Sequence, residues 1–233
     1  MNQKPALLLL PNLIAEHKHH QPYLPASVDQ AVSTLDGLIA ESETAGRRYL
    51  GRFETKKPAR EIPIAIYNKN TPREDLDFLL EPIKNGERWG YVSDAGLPCI
   101  ADPGAELVFR AKKSGIVVQA FVGPSSLILA LMLSGLPAQE FSFHGYLAAE
   151  EEGRAKEIRQ FAKAPGTHIF IETPYRNKYT MQALIDELPA NKLLCIASEL
   201  TSTSQSVVTQ TVEQWKKSPL PNLDKKVALF LFH

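Results

Sequence analysis

An excess of charge of either sign is the first thing this chain of 233 residues lacks: 26 Lys and Arg are matched by 26 Asp and Glu, so the formal net charge is zero. A protein that coats nucleic acid or adheres to a membrane through a polybasic face is thereby excluded, and any RNA contact has to use a local patch. Cysteine is scarce. Cys99 and Cys195 stand far apart in otherwise apolar segments, which gives neither a disulfide framework nor the paired spacing of a zinc site and points to a reducing compartment. Long apolar runs are missing too. Ala6 to Leu10 stops at Pro11, too short for a signal-peptide core or a bilayer span, so a soluble cytoplasmic protein without membrane contact is expected.

What is present is a globular composition, 44% hydrophobic and 22% charged. Short apolar runs alternate with segments of helical period, the pattern of α/β units with mostly parallel strands. Leu7 to Leu10 reads as a strand covered on both faces. Ser27 and Gln30 read as a capping box for a helix on which Val28, Ala31, Val32, Leu35, Leu38 and Ile39 recur. Ile62 to Tyr67 reads as a strand, followed by a helix opened by Thr71, Pro72 and Glu74 and kinked or shortened by Pro82. Trp89 to Ser93 and Ile116 to Val122 are expected strands, with a helix between them starting at Asp102-Pro103 and closing at Gly115. Ser125 to Ser134, apolar on every face, reads as a buried helix.

The rhythm then restarts, with strands at 141–146, 168–171, 193–197 and 227–232, helices at 150–164 and 177–188, and β or loop structure at 201–210. The Gly123-Pro124 break marks the boundary between two α/β domains, 1–122 and 123–233, with a ligand cleft expected between them.

Two glycine loops are the candidates for chemistry. Val92-Ser93-Asp94-Ala95-Gly96-Leu97-Pro98-Cys99-Ile100 follows a strand, at the sheet end where such folds bind ligands, and Asp94 would project a carboxylate there. A strand-to-helix turn capped by Asp102 is the plainer account of the same residues. Gly123-Pro124-Ser125-Ser126 places two hydroxyls and free backbone N–H groups at a helix start, which suits a polar ligand and equally suits ordinary capping. Neither loop has a Walker lysine or the G-x-G-x-x-G spacing, which disfavours nucleoside triphosphate hydrolysis and Rossmann-type dinucleotide binding.

In order, the chain carries Val92-Ser93-Asp94-Ala95-Gly96-x-Pro98, Asp102-Pro103-Gly104, Gly123-Pro124-Ser125, Ser134-Gly135-Leu136-Pro137, Phe141-x-Phe143-x-Gly145-Tyr146-Leu147, Glu172-Thr173-Pro174-Tyr175-Arg176 and Glu199-Leu200-Thr201. This series resembles the tetrapyrrole-methylase superfamily, and within it the branch of small-subunit ribosomal RNA cytidine 2′-O-methyltransferases. The resemblance implies two α/β domains with S-adenosylmethionine in the cleft between them, a homodimer, and cofactor contacts from Asp94, Ala95, Gly96, Leu97, Ile100, Ser125, Ser126, Tyr146 and Leu147. It also implies ribosomal RNA or the small ribosomal subunit as partner. The first loop departs from the branch: Pro11-Asn12-Leu13-Ile14 has no glycine and runs into Glu16-His17-Lys18-His19-His20, and Glu41-Ser42-Glu43-Thr44 lacks the branch's arginine, although Arg47 and Arg48 follow.

Methyl transfer to a hydroxyl needs an in-line nucleophile and a proton acceptor. Asp94, Glu43, Glu172 and Glu199 are the candidate bases, and Arg47, Arg48, Tyr175 and Arg176 the candidate RNA contacts. No metal is required. His17, His19 and His20 read as a solvated loop rather than a metal site, His168 as structural, and Arg154, Lys156, Arg159 and Lys163 as a solvated helix face. A small-molecule acceptor such as a tetrapyrrole, or a relative that binds cofactor without turnover, are the competing readings.

Overall fold

Residues alternate sides along β1 (Ala6–Leu9), and that alternation organises the first half of the chain. Leu8 and Leu10 pack with α1 (Ala26–Val32) and α2 (Glu43–Leu50), whereas Leu7 packs with α3 (Leu76–Lys84) and α4 (Ala105–Lys113). Each face of the sheet is therefore covered by two helices, as an all-parallel sheet requires. The sheet contains β1, β2 (Gly37–Ala40), β3 (Ile64–Ile66), β4 (Arg88–Tyr91) and β5 (Val118–Ala120), in the order β3-β2-β4-β1-β5, with every pairing parallel.

The computed structural model describes residues 4–233, which divide into two compact units, the first ending at Ser125 and the second running Ser126–His233. The second unit holds α5 (Ser126–Ser134), β6 (Phe141–Phe143), α6 (Glu151–Phe161), β7 (Thr167–Glu172), α7 (Asn177–Glu187), β8 (Leu193–Ser198), β9 (Ser206–Thr211), α8 (Val212–Lys217) and β10 (Ala228–Phe232). Its sheet order is β6-β7-β10-β8-β9. Ile169, Cys195, Leu229 and Leu231 face α5, while Phe170, Leu194, Phe230 and Phe232 face α6, α7 and α8.

Several expectations are corrected. The second sheet is mixed: only β6 and β7 pair in parallel, and the other pairings are antiparallel. The long helix expected through Ile39 ends at Val32, where the Ser33 and Thr34 hydroxyls bond back to Gln30 and Ala31 carbonyls, and Leu38 and Ile39 belong to β2. Gly37 is required there, because a Cβ would stand 2.3 Å from the Trp89 ring. The Ser27 capping box does not form, since Pro25 occupies the N-cap.

Thr71 does not cap α3: its hydroxyl accepts from the Asn68 N–H, and the helix passes Pro82 to end at Lys84. Gly104, not Asp102, precedes α4. The helix α8 was unforeseen and starts with a capping box between Thr211 and Gln214. Within its unit α5 is buried on one side only: Met132 is 72% exposed, and Ile128 and Leu133 are exposed with it.

Candidate functional site

Three loops meet at the carboxyl ends of β1, β4 and β5. The chain leaves β1 toward α1 on one face and leaves β4 toward α4 on the other, which makes this a switch point of the kind where open parallel sheets bind ligands. Asn12 binds two of the loops together. Its Nδ2 donates to the Ser93 and Asp94 carbonyls at 3.0 and 2.8 Å, its Oδ1 accepts from the Leu13 N–H and the Arg52 guanidinium, and its N–H donates to the Gly96 carbonyl at 2.7 Å. Gly123 brings the third loop in. A Cβ there would lie 2.1 Å from the Pro11 Cβ.

The loop after β4 has an unusual backbone. Gly96, Cys99, Ala101 and Gly104 all take positive φ, at 66°, 69°, 62° and 139°. For Cys99 and Ala101 the left-handed region costs about 1–2 kcal/mol each, and strain of this sort accumulates at ligand sites. A Cβ on Gly96 would stand 3.6 Å from the Pro124 carbonyl oxygen with nothing else within 4 Å, so glycine leaves a notch between the two glycine loops.

Carboxylates gather here. The Asp94 N–H donates to Glu41 Oε1 at 3.1 Å, joining the end of β2 to the loop. Burial, with the Glu41 and Asp94 carboxylates nearby, pushes the Asp102 carboxyl up to about 6. Burial and the Asp102 charge likewise push the Cys99 thiol up to about 11, which leaves it protonated and a poor nucleophile. Asp94 and Ala95 are exposed, and Ile100 is 49% exposed beside them. An adenosyl sulfonium is cationic and carries a flat aromatic ring, and this set suits it: carboxylates for the charge, backbone and an apolar side chain for the ring, and a notch kept open by Gly96.

The first unit therefore brings together Asp94, Ala95, Gly96, Leu97 and Ile100, and the chain reaches Ser125 directly from the Gly123-Pro124 loop. Glu43 is not among them. It opens α2, exposed, 3.4 Å from Arg47. Ser126, Tyr146, Leu147, Glu172, Tyr175, Arg176 and Glu199 belong to the second unit. There Tyr146 is exposed after Gly145, which has φ 71°, and Leu147 is buried with its carbonyl accepting from Arg176 at 2.8 Å.

Several candidates prove to be fixtures of the fold. Arg47 donates to the Ala59 and Ile62 carbonyls, both at 2.7 Å. Arg176 binds the Leu147 and Ala148 carbonyls and lies 3.1 Å from buried Glu172, which also accepts from Thr173 and Thr180. Glu199 accepts from the Val227 N–H at 2.8 Å. Arg48 is more exposed and pairs with Glu16 at 3.2 Å.

The altered first loop is held in place rather than solvated throughout. His20 is buried and bonded to Asp29 at 2.7 Å, and His17 stacks on Tyr23 at 3.9 Å between ring centroids. Arg154, expected on a solvated face, is buried against the Ala148 and Ala149 carbonyls. His168 pairs with His144 at 2.8 Å within an aromatic cluster. Sequence reasoning missed Glu41 and Asn12 as site residues. Glu41 directly follows β2, a usable signal had that strand been separated from the helix before it, whereas Asn12 stands three residues beyond β1. Among the described residues, no group of three or more His, Cys, Asp or Glu is placed to hold a metal ion, and no helix is long and apolar enough to cross a membrane.

Two α/β units with a strained glycine loop at a parallel-sheet switch point define a cofactor-binding fold, and solved structures share it. A crystal structure of the methyltransferase CobJ superposes with a TM-score of 0.66 at 15% identity, covering 97% of this chain and 93% of that one. The uroporphyrin-III C-methyltransferase of Thermus thermophilus, complexed with S-adenosyl homocysteine, gives 0.59 at 17% identity, covering 97% and 96%. Residues 22–216 match the family described as Tetrapyrrole (Corrin/Porphyrin) Methylases, and the chain belongs to that family.

Among curated relatives, the ribosomal RNA small subunit methyltransferase I of Vibrio cholerae is 35% identical over 176 residues, covering 76% of this chain and 59% of that protein. Its Bacillus subtilis counterpart is 30% identical over 188 residues, covering 79% and 62%. The chain thus spans about three fifths of the length of the curated relatives it matches.

Proposed function

We propose that this chain is an S-adenosylmethionine-dependent methyltransferase acting on the 2′-hydroxyl of a small-subunit ribosomal RNA nucleotide. The observation that carries the reading is the strained loop after β4, with Asp94 and Glu41 joined at its mouth. Its sequence belongs to the stretch that is similar to ribosomal RNA small subunit methyltransferase I.

Asp94, Ala95, Gly96, Leu97, Ile100 and Ser125 of the first unit would hold the cofactor, with Ser126, Tyr146 and Leu147 of the second as the family resemblance implies. The cofactor supplies an activated methyl group on a sulfonium sulfur. Asp94 and Glu41 counter the positive charge, and one of them accepts the proton of the attacking hydroxyl. Glu43 is set aside as base because its carboxylate pairs with Arg47, and Glu172 and Glu199 because each is bonded within its own unit's fold. A homodimer in a bacterial cytoplasm completes the proposal, and light scattering that gives a monomer mass at micromolar concentration contradicts the dimer.

One observation favours a small-molecule acceptor as the second reading: two of the three candidate RNA arginines, Arg47 and Arg176, are bonded to backbone carbonyls. Titration calorimetry with S-adenosylhomocysteine tests the part common to both readings. One site per chain is expected, and absence of heat and of any thermal shift at millimolar ligand overturns it.

A further inference from the structure

Tyr175, in the turn two residues before α7, and Tyr179, in the first turn of that helix, both face solvent, 81% and 57% exposed. With Pro174, Lys178, Pro221 and Asp224 they line an open pocket of about 360 Å³. The walls are held firmly. Buried Asn177, the first residue of α7, donates to the Leu223 and Lys226 carbonyls at 3.1 and 2.8 Å and so fixes the loop before β10 against α7. Lys178 Nζ stands 5.9 Å from the Tyr179 ring centroid, within cation–π reach. Burial of the tyrosines in their own fold does not account for this arrangement, because both rings are wet.

We infer that this pocket stacks an unpaired base of single-stranded RNA on Tyr175 and Tyr179, with Lys178 on the neighbouring phosphate, an inference that rests on the ribosomal RNA reading above. Every base offers a π-face to a tyrosine, and unpaired bases splayed onto aromatic side chains are the usual mode of RNA recognition. The pocket suits one base with part of its ribose. Asp224 is an acceptor, so it favours a base with an exocyclic amine over uracil, and it disfavours an acidic peptide as occupant. Arg176, sequence neighbour of Tyr175, takes no part, since its guanidinium is bonded inward.

The test is fluorescence anisotropy of labelled hexaadenylate and hexauridylate with the full chain at low salt, beside a proline-rich peptide as the other occupant a tyrosine groove could take. The parent should bind hexaadenylate more tightly than hexauridylate. Tyr175→Ala and Tyr179→Ala should each weaken binding by roughly 5- to 150-fold, whereas the Phe variants should stay within about threefold because the stacking face survives. Lys178→Ala should reduce the log–log salt slope by about 0.7.

Alanine variants that bind RNA like the parent overturn the inference, as does a parent that binds the peptide and no RNA. Methyl transfer measured on the same proteins separates the two claims. Tyrosine-dependent RNA binding without methyl transfer supports the platform and overturns the enzymatic reading, and methyl transfer to ribosomal RNA with tyrosine-independent binding does the reverse.

Discussion

Replacing Asp102 with Asn removes a carboxyl group that the fold holds at about 6 rather than 3.8, through burial first and then the charges of Glu41 and Asp94. An acid whose pKa rises on folding favours the folded state fully below its unfolded value and loses that contribution as pH climbs through the folded value. A rise of this size corresponds to about 3 kcal/mol at most. Partial solvent contact at Asp102 lowers the expected effect to about 1–2 kcal/mol. The variant is neutral and nearly isosteric, so it should exceed the parent in stability by about that amount at pH 8, a rise in Tm of roughly 2–8 °C. The gap should close as pH falls from about 6 toward 3.5. Urea unfolding of both proteins across this range, with matched slopes to exclude a change in the unfolded state, measures it. Equal stability at pH 8, or a gap that persists on acidification, refutes the account of a strained acidic site. The direction is informative because a buried site carboxylate trades stability for binding.

Gly96→Val should abolish S-adenosylhomocysteine heat in calorimetry, because φ 66° is strained for a branched residue and the side chain enters the notch facing Pro124; full binding by the variant would show the notch is not the site. Arg47→Ala should cost about 2 kcal/mol of unfolding free energy by losing two charge-assisted bonds, while Arg48→Ala leaves stability nearly unchanged; equal melting of the two variants contradicts this. Burial holds the His144 and His168 imidazoles below their ordinary values, and the neighbouring His168 lowers His144 further. Their contribution is present above pH 6.5 and is lost on acidification, so the His144→Gln protein should lose less stability than the parent between pH 7 and 5, and identical pH profiles argue against the pair.

The strongest local signals in the sequence survive folding. The apolar run at Leu7 and the loop at Gly96 fall where the pattern placed them, because glycine requirements and fully buried strands are set by short-range chemistry. The strand at Gly37–Ala40 was hidden because Leu35, Leu38 and Ile39 continue a helical period by coincidence, while the real stop lies in the back-bonding of Ser33 and Thr34 and in the Trp89 ring over Gly37. That loss concealed Glu41, which only a recognised β2 would have aimed at the Asp94 loop. The fate of the arginines was illegible for another reason. Arg47, Arg154 and Arg176 reach carbonyls from 5 to 29 residues away, and no local pattern reports which guanidinium will be needed by the backbone. Mixed pairing in the second sheet likewise depends on long-range register that apolar runs do not encode.

The central claim is methyl transfer. The most direct measurement incubates the full chain and its Gly96→Val variant with S-adenosylmethionine labelled in the methyl group, against small ribosomal subunits, free ribosomal RNA and tetrapyrrole precursors in parallel. Label entering ribosomal RNA at a ribose 2′-oxygen with the parent and not with the variant is the predicted result. Label entering only a tetrapyrrole moves the acceptor to the second reading, and label entering nothing while the cofactor still binds contradicts the enzymatic account.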